Sequence, residues 1–264
     1  MQTVQFLHAA FAKALPTLHA RRLEALMAAV AALLQGRRLS LTALGRSLPG
    51  SAWPRHAIKR VDRLLGNRQL QAERGLFYRV MRRALPGSLR HPLLLVDGSP
   101  IDAAGKRFLL RAAIPLAGRS LPVCEVVHPR EPWLLASNLW NAAQVVAIYQ
   151  RRMQIEEGFR DLKSHRLGVG LGLHRSRCPR RIEILLLIAV LTNYALCLLG
   201  LQAREAGHER RFQSNNLKGK HGLSLWRLGL EYARTGAGAI SRETLRNLEL
   251  ALRREVYRQA LELG

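Results

Sequence analysis

Cysteine is nearly absent, with three in 264 residues. Cys124, Cys178 and Cys197 stand apart, with no CxxC and no histidine at ligand spacing. That excludes a disulfide framework and a zinc site, and a reducing compartment is expected. Acid is scarce as well: 18 Asp plus Glu against 42 Lys plus Arg. Between Asp102 and Asp161 there is no Asp at all. The opening MQTVQFLHAAFAKALPTLHARR lacks the charged-then-apolar order of a secretory signal. Ser99 has no base placed by a recognisable motif, so a Ser-His-Asp nucleophile is not indicated. Long apolar runs are missing too, save IEILLLIAVLTNYALCLLGL at 182–201, which is nearly long enough to span a bilayer. Thr192 and Asn193 interrupt it, no second run accompanies it, and basic residues flank both ends. A buried core helix is the expectation, with no membrane partner. A basic membrane-anchored protein is the rival reading.

What the chain does have is positive charge. The formal net charge is +24, spread along the whole length, while 48% apolar residues argue against disorder. A folded chain so basic meets a polyanion, and double-stranded DNA or another nucleic acid is the commonest candidate. Arginine outnumbers lysine, which suits bidentate phosphate contacts. A membrane surface or a ribosome-like structural role would also use such charge. A cytoplasmic, nucleoid-associated protein follows from the leading reading.

Apolar spacing predicts helices through residues 1–35, broken at Pro16. Ser40 can cap a short helix through Leu48, Pro49-Gly50 breaks it, and a second helix is expected from Arg55 to Leu65. Ile58, Val61, Leu64 and Leu65 would face inward, leaving Arg55, Lys59, Arg60 and Arg63 outside. Residues 39–67 thus resemble a helix-turn-helix whose second helix enters a major groove, although two bundle helices with solvated bases carry the same pattern. We assign 1–90 to a helical N-terminal DNA-binding region. From residue 92 the texture changes to strand-like runs: PLLLVDGS, RFLLRAAIPL, RSLPVCEVV and PWLLASNL. An α/β fold with a mixed sheet and flanking helices is expected over 91–201, then a basic helical region over 202–264.

The segment YQRRMQIEEGFRDLK, 149–163, follows the last run. At ~100° per residue, Tyr149, Arg152, Glu156 and Lys163 fall within about 60° of arc. Ile148, Ile155, Phe159 and Leu162 form a neighbouring apolar stripe. An ordinary surface helix would also carry such charges, and Asp97 alone reads as a turn former. Together, a strand ending in Asp97 and a helix bringing Glu156 toward it could hold Mg²⁺, a hard cation that prefers oxygen ligands. Paired ions stabilise both the attacking and the leaving oxygen of a phosphoryl displacement.

The spacing of Tyr149, Arg152, Glu156 and Lys163 resembles the Y-R-E-K pattern of bacterial transposases of the insertion-sequence-four family. EPWLLASNL, RMQIEEGFRDLKSHRLG, RIEILLLIAVL, IKRVDRLLGN and LSLWRLGLE are similar to that family as well. The resemblance implies a ribonuclease-H-like catalytic domain, an Asp-Asp-Glu triad and two Mg²⁺ ions. It implies as partners the inverted-repeat ends of a transposon and a target DNA, with a homodimer as the expected assembly. Asp97 matches the first carboxylate and Glu156 the third, the two expected metal ligands. Tyr149, Arg152 and Lys163 match residues that contact end DNA. The second Asp has no counterpart: the chain passes from LPVCEVVHPR to EPWLLASNL, where the family has a helix, the Asp-bearing strand and a β-rich insertion. An internal deletion on the order of a hundred residues is the reading. It predicts an incomplete catalytic domain, a doubtful second Mg²⁺ site, and a DNA strand-transfer enzyme that is catalytically defective as it stands; the alternative is a non-catalytic DNA-binding remnant that inhibits the intact enzyme.

Overall fold

The computed structural model describes residues 2–50, 53–85, 93–102, 106–116, 119–128, 142–166, 168–213, 222–235 and 242–261. The first five helices are α1 (Gln2–Ala14), α2 (Ala20–Gly36), α3 (Leu41–Arg46), α4 (Pro54–Leu65) and α5 (Arg68–Ala84). Local chemistry sets their starts. Ser40 Oγ accepts from Ala43 N at 3.3 Å to cap α3, and Asn67 Oδ1 accepts from Leu70 N at 2.9 Å to cap α5. Pro54 opens α4, where its missing N–H costs nothing. Pro16 falls between α1 and α2, as the broken periodicity predicts. At Gly45 any Cβ would stand 2.6 Å from the Cα of Ile58, so glycine lets α3 and α4 cross in backbone contact.

Three strands follow: β1 (Leu95–Pro100), β2 (Phe108–Leu116) and β3 (Arg119–His128). They form an antiparallel meander in the order β1-β2-β3, with a register shift at Ala112/Ala113. The expected mixed sheet is therefore seen only as its antiparallel part: the three described strands pair antiparallel in sequence order. The strand expected at 132–139 lies outside the described residues. In register, Asp97 faces Arg111 and Arg111 faces Glu125, so three charges of alternating sign form a row across the sheet.

The remaining helices are α6 (Ala142–Lys163), α7 (Pro179–Glu205), α8 (Leu225–Arg234) and α9 (Arg242–Leu261). The apolar run is α7, and 89% of its most hydrophobic window is buried within the protein. It packs on α1, α2, α4, α5, α8, α9 and β3. Its polar residues are absorbed locally: Thr192 Oγ1 donates to Ile188 O at 2.8 Å, and Asn193 Oδ1 accepts from Cys197 Sγ at 3.5 Å. The core of the molecule supplies the apolar surroundings that this run requires. Two further links join the N-terminal helices to the rest. Leu39 N donates to Val169 O at 2.7 Å, and Arg37 Nη2 to Leu230 O at 2.9 Å.

Candidate functional site

Asp97 is the third residue of β1, half-buried, and its Oδ1 accepts from Gly98 N at 2.8 Å. Alternation along β1 places Leu95, Asp97 and Ser99 on one face. Leu95 is buried on that side, so the face looks into the protein. Against β1 and β3 packs α6, whose Ile155, Phe159 and Leu162 are buried. That is the expected apolar stripe. Glu156 is half-buried beside it, and Lys163 ends the helix with Nζ donating to Ser99 Oγ at 2.5 Å. Asp97 and Glu156 thus stand on two elements that Lys163 ties together. The side chains of Tyr149 and Arg152 lie outside the described residues.

Lys163 has a second role besides any contact with DNA. Burial, then the Arg111 guanidinium, hold its ammonium below the ordinary lysine range. Both cations lie against the Phe159 ring, Arg111 at 4.5 Å from its centroid and Lys163 at 5.7 Å. The ring face offsets part of the repulsion between them.

The other acids near the site have partners of their own. Glu125 is buried and accepts from Arg111 Nε at 2.8 Å and Nη2 at 2.7 Å, and from the Tyr78 hydroxyl at 3.3 Å. Burial pushes the Glu125 carboxyl up, against the pull of Arg111 and Tyr78. On α6, Asp161 accepts from Arg119 Nε at 2.7 Å, and Glu157 pairs with Arg119 at 3.2 Å and with Arg160. Burial raises the Asp161 carboxyl too, opposed by Arg119. Each of these carboxylates clamps one element to another.

Among the described residues no cluster of three or more His, Cys, Asp or Glu side chains could hold a metal ion. Asp97 and Glu156 are the two carboxylates expected there, and Glu125, on β3 beyond Arg111 of β2, is held by Arg111. Mg²⁺ is bound by one or two carboxylates with waters and substrate phosphates. A pair of ions needs a carboxylate to bridge them in addition. Among the described residues this donor set is smaller than a two-ion centre takes.

The match of this chain to the family described as "Transposase DDE domain" covers residues 53–195, from the residue before α4 into α7. The chain belongs to the DDE transposase family. Comparisons with curated proteins and with solved structures gave no match. The small antiparallel sheet with flanking helices is consistent with the core of such a transposase, an enzyme class that transfers phosphoryl groups on DNA. Typically Mg²⁺ serves these enzymes, and DNA is the partner that their chemistry requires.

The matched span begins with α4. There Arg55, Lys59, Arg60 and Arg63 are all exposed, while Ala57, Val61, Leu64 and Leu65 are buried and Ile58 is half-buried. Asp62, the one acid of α4, is drawn to Arg181 of α7 at 2.5 Å. The exposed side of α4 thus carries four basic residues and one acid, Asp62, paired to α7. Reading residues alone missed Arg111, Arg119 and Glu125 as structural charges of this transposase domain. A usable signal existed: RFLLRAAIPL and LPVCEVV each carry one charge inside an apolar run, of opposite sign, in two strand-like runs close in sequence.

Proposed function

We propose that this chain is an internally deleted transposase of the insertion-sequence-four family that binds duplex DNA and does not transfer strands. One observation carries the reading. Asp97 and Glu156 stand on packed neighbouring elements, while no Asp lies between Asp102 and Asp161, and Glu125 is committed to Arg111. The Y-R-E-K spacing of Tyr149, Arg152, Glu156 and Lys163 supports the subfamily. The sheet of the complete fold is ribonuclease-H-like in this reading, and the deleted segment carried the second Asp. The N-terminal region holds DNA through Arg55, Lys59, Arg60 and Arg63 of α4. Tyr149, Arg152 and Lys163 grip the transposon end beside Asp97 and Glu156.

In-line phosphoryl displacement needs negative charge stabilised on both the entering and the leaving oxygen. Two carboxylates without the bridging third do not organise that charge. Such a chain occupies inverted repeats without cutting them, and so competes with an intact transposase for its ends. The test is incubation of labelled terminal-repeat duplex with the purified chain and Mg²⁺ or Mn²⁺. Retention of the duplex with no nick is expected. A nick at the transposon end that vanishes in Asp97→Ala would show a working site and overturn the proposal.

A further inference from the structure

Between the start of α2 and the second half of α4 runs a groove of about 710 Å³, lined by His19, Arg21, Arg22, Glu24, Ala25, Arg60, Arg63, Leu64 and Asn67. Arg21, Arg60 and Arg63 are exposed on its walls, and among the described residues no carboxylate pairs with any of them. Arg22 is different: it is locked to Glu73 at 2.6 Å and to Gln69, and braces α2 against α5. The single acid on the walls, Glu24, leaves the groove with an excess of positive charge. The first turn of α2 adds the positive end of a 17-residue helix on the same side.

We infer that this groove clamps the sugar-phosphate backbone of duplex DNA, with Arg21 of α2 opposing Arg60 and Arg63 of α4. The inference rests on the duplex-binding reading above and adds to it a second wall from a helix outside the matched family span. The geometry favours a backbone over a base edge. Arg60 and Arg63 leave α4 near its C-terminal end, whereas Trp53, 75% exposed, and Arg55 stand at its N-terminal end. A helix presented to a major groove reads bases with its first turns, and contacts further along the protein hold phosphates. The planar forked donors on its walls suit a phosphodiester, which accepts bidentate guanidinium contacts.

The test uses the full chain and two labelled duplexes, one of random sequence and one terminal repeat, with anisotropy read across a salt series. Arg21→Ala is expected to lose roughly tenfold in affinity and to lower the log–log salt slope by about 1. The loss should be equal on both duplexes, because a phosphate carries no sequence. Glu24→Gln should tighten binding, a gain that a misfolded protein cannot show. Unchanged affinity and slope in Arg21→Ala, with Arg55→Ala and Lys59→Ala weakened, would overturn the clamp and leave the duplex-binding reading standing. A loss confined to the terminal repeat would overturn the phosphate assignment. Tighter capture of duplex RNA, lost in the same variants, would overturn DNA as the occupant. Failure of the unaltered chain to bind any duplex would remove the underlying reading itself.

Discussion

Arg111 and Glu125 form a buried ion pair next to Asp97, with side-chain exposures of 3% and 0%. Removing one partner leaves the other charged in an apolar setting, which costs about 3–5 kcal/mol. Arg111→Met is therefore expected to lower the urea midpoint strongly. Arg111→Met combined with Glu125→Leu takes out both charges and should cost less than the single change. A double variant no more stable than Arg111→Met would show that the pair is not the reason. A second residue-scale prediction concerns thiols. Cys124 and Cys178 are exposed, and Cys197 is buried in α7 with its thiol pushed up to about 12 by burial. Two of the three cysteines should react with a thiol reagent in the folded protein, and the third only on unfolding. The raised thiol also has a sign. Its contribution to stability is complete below the ordinary thiol range, and it drains away as pH climbs toward about 12.

Elements meet here through backbone as much as through side chains. Where α7 crosses α8, a Cβ on Gly200 would stand 2.0 Å from Leu225 O, and one on Gly229 1.9 Å from Leu196 O. Gly229→Ala should force the two helices apart and cost about 1–3 kcal/mol or more, read as a fall in melting temperature. Gly75, inside α5 with open space around it, gives the opposite expectation. Gly75→Ala should stabilise by roughly 0.5–1 kcal/mol. On α6, Glu156→Gln removes negative charge near bound phosphates, so duplex affinity should hold or rise. Lys163→Ala should weaken it and also loosen α6 from Ser99 of β1. Several elements were legible because their signals are local: Ser40 announces a cap, and Pro16 and Pro49-Gly50 mark breaks between helices. The row Asp97–Arg111–Glu125 was not, since it exists only once strand register is set. Nor were the Arg119 clamps on Glu157 and Asp161, which join residues some forty apart in sequence.

For the whole molecule the governing quantity is the net charge of +24. Duplex affinity should fall roughly 10³-fold or more between about 50 and about 200 mM salt if six or more phosphates are engaged. An affinity indifferent to salt would contradict backbone tracking. Among the described residues after α7 stand α8 and α9, and α9 buries Leu245, Leu248, Leu252 and Val256. What sequence reading could not supply is the mutual packing, because apolar periodicity says which face is buried and not against what. The helix that organises this packing, α7, has a consequence for how the protein is made. Leu23, Leu26 and Leu33 of α2 are buried in the same apolar core as α7, which begins at Pro179 and packs directly on α2. A ribosome that has made Leu33 must add roughly 145 more residues before Pro179 and that partner emerge. During that interval the face of α2 that packs on α7 lacks its partner. Completion of the core is thereby a late event, reached only after the N-terminal helices have long been exposed.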